Sequence, residues 1–208
     1  MSRTIKPLIG ITLGDCAGIG PEVAVKAADQ PSVRKTCIPL LIGDRRMVQR
    51  AAEIVGCRRP LKCFGASETV RESVEGSPRD NLLVLHLGDV DPAKVPLGKL
   101  SRIAGKAAYD WVCKGAALAN SGVLDALVTA PLNKEAVLKA GIKGFKGHTE
   151  LLAEIGSART HAMMLASGAF RVVLVTTHIA IKQVPKALTA EGIVEKTLLT
   201  HQFLRSLG

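Results

Sequence analysis

The residues of this chain that can carry chemistry gather in two stretches, TAPLNKEAVLKAGIKGFKGHT from Thr129 to Thr149 and VTTHIAIKQVP around His178. An imidazole serves as metal ligand or proton carrier near neutrality, a lysine as a fixed positive charge, and a hydroxyl both donates and accepts. Lys134, His148, Thr149 and His178 therefore have the make-up of a site for an anionic small molecule. A third stretch, GDCAGIGPE from Gly14 to Glu22, is a glycine-rich turn. Its glycines fall as GxxxGxG rather than as the GxGxxG dinucleotide fingerprint, and no Walker lysine accompanies them. Through Gly14, Asp15, Gly18 and Gly20 the turn reads either as an anion site at a helix N-terminus or as a structural turn, and the residues leave both open.

These groups have to be held by strands and helices, and the pattern of the chain supplies them. Val123 to Thr129, VLDALVT, reads as a buried strand, which puts Ala130 to Lys134 at its carboxyl end, where open α/β sheets bind ligands. Asn133 caps a short helix over 134–140, closed by Gly141. Gly141, Gly144 and Gly147 then let the backbone turn tightly before His148 and Thr149 open another helix. Upstream, Pro7 to Leu13, Thr36 to Gly43, Leu61 to Phe64 and Asn81 to Leu87 read as strands. A helix starting at Pro21, one over 44–55 and a long one capped by Ser101 and ending near Asn120 lie between or after them, while SETVRESVEGSPRD reads as surface structure. Downstream, Ala162 to Ala166 and Arg171 to Thr177 read as two strands joined near Gly168, with His178 directly after the second. Thr189 to Leu207 reads as a helix with His201 on the arc of Val194, Leu198 and Leu204, a packing position. His86, inside an apolar strand, and His161, in a polar turn, read as core or surface residues. The chain stops just past a helix, where strand–helix alternation calls for another strand, so the expected fold lacks its C-terminal part.

The composition narrows the class. With 208 residues, 47% hydrophobic and only 3% aromatic, the chain suits a helix-and-sheet enzyme scaffold better than a β-sandwich or a stacking-based nucleic-acid binder. A net charge of +10 calls for an anionic partner, but the basic residues are scattered and no zinc-finger, RRM or KH signature goes with them, which favours an anionic metabolite over nucleic acid. No apolar run reaches membrane-spanning length and the first residues lack a signal-peptide core, so the expected location is the cytoplasm, without membrane contact. The five cysteines are odd in number and form no CxxC, which argues against a disulfide framework or a thiolate zinc site and for small buried or half-buried thiols.

Taken in order and spacing, GDCAGIGPE, VTAPLNKEAV, GHTELLAE, MML and VTTHIAIKQVP resemble the 4-hydroxythreonine-4-phosphate dehydrogenase family, PdxA, along essentially the whole chain. The resemblance implies a two-domain, three-layer αβα fold like that of isocitrate and isopropylmalate dehydrogenases. The first domain would cover 1–128, and 129–208 would begin the second. It also implies an active site shared in a homodimer, a phosphorylated substrate, NAD or NADP as cofactor, and a divalent metal, zinc with magnesium or cobalt as alternatives. By the same resemblance His148 and Thr149 contact substrate and His178 is one of three metal histidines; the motifs carrying the other two, NPHAGE and YHDQG in form, do not occur here. Lys134 is placed near the substrate phosphate mainly by its position. The implied reaction oxidises, and decarboxylates, 4-hydroxy-L-threonine 4-phosphate. APLNKEA and VPLGKLSRIAGKAAYDWV lean toward the branch acting on 4-phospho-D-threonate or 4-phospho-D-erythronate. The reading of another class is a non-catalytic remnant that keeps a phosphate-binding surface.

Overall fold

The computed structural model describes residues 6–65, 70–78 and 80–207, which divide into two compact units, 1–148 and 149–208. In the first unit five strands form an all-parallel sheet in the order β3-β4-β2-β1-β5: β1 (Leu8–Thr12), β2 (Ile38–Gly43), β3 (Leu61–Phe64), β4 (Leu82–His86) and β5 (Ala126–Thr129). The short apolar runs of β1, β2 and β4 are almost wholly buried, as strands covered on both faces must be. Helices α1 (Gly20–Asp29), α2 (Pro31–Thr36), α3 (Arg45–Val55), α4 (Val70–Glu75), α5 (Arg102–Asn120) and α6 (Lys134–Lys139), with a 3-10 turn at Pro92–Lys94, belong to the unit. The chain steps one way across the sheet from β1 to β2 and the other way from β4 to β5, so right-handed crossovers put α1 and α5 on opposite faces. α6 packs on α5.

Local chemistry sets the helix boundaries. Asp44 caps α3 by accepting from the Arg46 amide at 2.7 Å, and Gly56, at φ 71°, ends it in the left-handed conformation that favours glycine. Ser101 caps α5 and Asn133 caps α6, accepting from Ala104 N at 3.3 Å and Ala136 N at 3.1 Å. Trp111, on the inner face of α5, is 1% exposed and donates its indole N–H to the Leu87 carbonyl at 3.1 Å, so the largest core side chain also satisfies its polar atom. No helix among the described residues is long and apolar enough to cross a membrane.

The second unit holds α7, which starts at the unit boundary (His148–Ile155), an antiparallel hairpin of β6 (Met164–Ser167) and β7 (Phe170–Val173), a single 3-10 turn at Ile181–Gln183, α8 (Val184–Ala187) and α9 (Ala190–Ser206), capped by Thr189. Gly168, at φ 53°, makes the hairpin turn. Leu151 is its buried hydrophobic residue among those described, whereas Leu165, Phe170, Val194 and Leu198 stay exposed.

Four expectations shift. β5 is an edge strand rather than a buried one, with Val128 50% exposed, because its pairing runs to β1 on one side only. The polar segment at 67–80 contains α4, whose Val70 and Val74 are buried, because apolar residues four apart share one helix face even among charges; residues 67–69 and 79 lie outside the described residues. The arc of α9 that the sequence reads as a packing face is exposed at Val194, Leu198 and Leu204, because the hairpin and short helices of its unit supply too little surface to cover it. Finally, β7 stops at Val173, so an irregular segment separates it from His178. Among the described residues the cysteines form no disulfide and, apart from the exposed Cys63, are buried or half-buried.

Gly105 of α5 lies against α6 so closely that a Cβ there would meet the Ala136 carbonyl carbon and oxygen at 2.2 Å. Backbone cannot yield as a flexible side chain can. Gly105→Ala is expected to destabilise the first unit by about 1–3 kcal/mol, read as a lower urea midpoint with unchanged m-value.

Candidate functional site

The loops that leave β1 and β5 diverge toward opposite faces, α1 on one and α6 on the other, which makes the carboxyl ends of these two neighbouring strands the switch point of the sheet. The loops are joined there by backbone alone. Asp15 N donates to Pro131 O at 2.8 Å and Ala130 N to Thr12 O at 3.1 Å. Gly14, at φ 66°, would place a Cβ 2.2 Å from the Pro131 carbonyl oxygen, and Gly20 would place one 2.3 Å from the Leu13 carbonyl oxygen. The close approach therefore requires both glycines. Asp15 Oδ1 accepts from Ala17 N at 2.9 Å, and Gly18 N donates to Asp15 O at 3.1 Å, so Asp15 closes the turn on itself. Arg50 reaches across from α3 to the carbonyls of Cys16 and Val95, tying this turn to the β4–α5 connection. Cys16 is buried there, and desolvation, aided by the Asp15 charge, pushes its thiol up to about 12, which makes it inert.

Lys134 is exposed at the start of α6, and its charge acts on His148, half-buried at the start of α7. Burial first and the lysine second lower the pKa of His148 from the ordinary 6.5. Its Nε2 is buried with no hydrogen-bond partner. Three other buried side-chain atoms share that condition among the described residues: Thr12 Oγ1, Glu22 Oε2 and Glu150 Oε2. All four flank or belong to the GDCAGIGPE and GHTE segments, and unsatisfied buried polar atoms are rare enough to mark places where a ligand completes the bonding.

In the second unit Thr149 and Glu150 occupy the first turn of α7, and His178 lies in the loop after β7. The Glu150 Oε1 stands 3.9 Å from His178 Nε2. His178 has φ 57°, a left-handed backbone rarely adopted by a residue with a side chain. The sequence reading named His148, Thr149 and His178 but missed Glu150; a carboxylate in a helix's first turn is ordinary, and only the tertiary structure brings it to His178.

The other histidines lie elsewhere. His161 is exposed, with its carbonyl accepting from Lys196 at 2.9 Å, and His201 is exposed beside a shallow hollow of about 340 Å3. His86 belongs with Asp44 and Asp89 to a set whose ligand atoms lie within 4.8 Å of one another. Each member is already engaged. Asp44 accepts from the Arg46 and Val90 amides at 2.7 Å, His86 Nδ1 accepts from Arg45 N at 3.2 Å, and Asp89 pairs with Arg46 at 2.9 Å. The Arg46 guanidinium stands where a cation would, and the set is the anchor of α3. A larger cleft of about 1000 Å3 runs along α5, lined by Leu87, Val90, Arg102, Lys106 and Trp111 among others, and includes none of the site residues above.

Comparison with known proteins decides the family. The profile described as "Pyridoxal phosphate biosynthetic protein PdxA" matches residues 35–208. The chain belongs to the PdxA family. It is 38% identical over 200 residues to the 4-hydroxythreonine-4-phosphate dehydrogenase of Trichlorobacter lovleyi, covering 95% of this chain and 57% of that protein. It is 41% identical over 203 residues to the D-threonate 4-phosphate dehydrogenase of Cupriavidus necator, covering 97% and 59%. The crystal structure of a 4-hydroxythreonine-4-phosphate dehydrogenase from Klebsiella pneumoniae matches with a TM-score of 0.84 at 29% identity, over 100% of this chain and 61% of that one. This PdxA chain thus spans somewhat more than half the length of those relatives, and its mixed α/β architecture is theirs.

The lowered pKa of His148 has a sign that can be checked. Its neutral form is favoured in the folded chain, so stability rises with pH from the lowered folded value up to 6.5 and is lost as pH falls through that window. Lys134→Ala is expected to move the His148 pKa part of the way back toward 6.5, since burial, the larger cause, remains. An NMR titration of the ring resonances reads it; an unmoved value would mean the lysine does not act on the ring.

Proposed function

We propose that this PdxA chain supplies the phosphate-binding part and one metal histidine of a dehydrogenase that oxidises a secondary alcohol next to a phosphate-bearing carbon, NAD or NADP taking the hydride. The observation that carries this reading is the unpartnered Nε2 of His148 beside the Lys134 charge, in a chain of this family. Lys134 binds the substrate phosphate as a mobile point charge. His148, kept neutral by burial and by the lysine, offers its free Nε2 to a substrate oxygen, and the Thr149 hydroxyl adds a second contact. Neutrality matters, because a charged imidazole would compete with a cation in the same site.

One residue of this chain, His178, has the chemistry of a divalent-cation ligand, with the Glu150 carboxylate beside it. His178 would hold the ion, with zinc preferred over magnesium or cobalt for an imidazole ligand. Such an ion would supply Lewis acidity toward the substrate alcohol. The Gly14–Gly20 turn does not fit a dinucleotide diphosphate, since Asp15 N, Ala17 N and Gly18 N are already bonded within the protein. No residue of this chain is therefore assigned to the nicotinamide cofactor.

For the substrate, 4-hydroxy-L-threonine 4-phosphate is the first reading. 4-Phospho-D-threonate or 4-phospho-D-erythronate is the second, favoured by APLNKEA and by the 41% identity to the Cupriavidus necator protein. The two-domain division at 128/129 and a homodimer sharing its site belong to the same proposal; the exposed apolar side chains of the second unit, Leu165, Phe170, Val194 and Leu198, give a second copy something to cover.

The test incubates the chain with each of the three phosphorylated substrates, NAD and zinc, and follows reduced nicotinamide, with phosphate-ester binding measured by calorimetry in parallel. Turnover of one substrate is expected, and Lys134→Ala is expected to raise its KM about tenfold or more while leaving kcat within about twofold, as loss of a uniform binding contact does. Binding without turnover of any substrate would replace this reading with a non-catalytic phosphate-binding protein.

A further inference from the structure

Two unfavourable features of the second unit fall on one pair of residues. Glu150 keeps its Oε2 buried without a partner while its side chain as a whole is only 26% exposed, and an unbonded buried carboxylate oxygen is costly. His178 adopts a left-handed backbone at φ 57°, a strained conformation for any residue with a Cβ. The imidazole lies beside that carboxylate, Nε2 at 3.9 Å from Oε1, with the His178 side chain 54% exposed. The other carboxylates of this unit do not share the arrangement: Glu195, for example, pairs with Lys196 at 2.6 Å. A structural ion pair would have no need of the strain.

The structure assigns Glu150 as the positioning residue of His178: its carboxylate accepts from Nε2–H, holds the ring in that tautomer, and leaves Nδ1 facing outward as the ligand atom. Closing from 3.9 Å to hydrogen-bond distance takes a side-chain movement of about 1 Å. A carboxylate behind a ligating imidazole both fixes the tautomer and makes the free nitrogen a better donor to a cation. The pairing stands by itself; that the outward nitrogen takes a metal rests on the dehydrogenase reading.

The experiment uses the full chain with 15N-labelled histidine at a pH where the ring is neutral. Long-range 1H–15N correlation reports the tautomer of His178 in the unaltered protein, in Glu150→Ala and in Glu150→Gln, and cobalt(II) titration followed on the same ring resonances reports the metal. The unaltered protein is expected to hold His178 in the Nε2–H tautomer. Glu150→Gln, which keeps an accepting oxygen and guards against a mere folding failure, preserves the tautomer. Glu150→Ala releases the ring to a tautomer mixture and weakens apparent cobalt affinity by about 10–100-fold. A tautomer unchanged in Glu150→Ala overturns the assignment. So does a loss of cobalt binding in Glu150→Ala with the tautomer intact, which would make the carboxylate itself a ligand. Should the tautomer respond as expected while cobalt fails to bind, the positioning role stands and the metal reading falls.

Discussion

Two loops meet backbone to backbone at the carboxyl ends of β1 and β5, and the placement of the candidate residues in the first unit follows from that meeting. The amide of Asp15 and the carbonyl of Pro131 share a 2.8 Å hydrogen bond that a Cβ at residue 14 would abolish. Because α1 and α6 leave from this junction to opposite faces, the junction is also the switch point of the sheet. Asn133 then caps α6, and Lys134 stands at its first turn, at the carboxyl end of β5. Gly105, by letting α6 approach α5 at backbone contact, keeps that helix from tilting away.

The same economy governs the charges. Most acidic groups of the first unit that are drawn inward are satisfied: Asp44 by two backbone amides and Arg46, Asp125 by the Leu8 amide and Arg71, Asp29 by Arg59. Against that background the unbonded atoms Thr12 Oγ1, Glu22 Oε2, His148 Nε2 and Glu150 Oε2 stand out, since each forgoes a hydrogen bond that a structural role would have supplied. Their placement on the glycine-rich and GHTE segments ties the energetics of the fold to its chemistry. The Asp44–His86–Asp89 set is the instructive opposite: donor atoms at metal-like spacing, every one of them already bonded.

The two units differ in how much of themselves they bury. The first has a sheet covered from both faces and a continuous apolar core from Leu8 to Ala130. The second, a hairpin with short helices and α9, leaves Phe170, Leu198 and Leu204 exposed, so packing within it contributes little to its stability. The relatives it matches are longer than this chain, which covers 57–61% of those compared. Residues such as His178 thus sit on a scaffold whose own contacts hold them weakly, which gives a local pairing such as that with Glu150 more to do.

Much of this was legible in the amino-acid order. Short apolar runs bounded by glycine announced β1 to β4, the caps Ser101 and Asn133 marked their helices, and the motif series pointed to the family. These features are local: a cap or a strand is decided by neighbours within a few residues. Other features depend on what comes near in space. Whether VLDALVT lies inside or at the edge of the sheet depends on pairing partners, and it is an edge. Whether His86 is a ligand depends on which amide reaches its Nδ1, and Arg45 does. That Glu150 faces His178 depends on a loop twenty-odd residues away in a left-handed turn, which no spacing rule encodes. The order of the residues determined the elements and the types of group available for chemistry; the tertiary structure decided which of those groups were left without partners, because burial and hydrogen bonding are properties of neighbours in space.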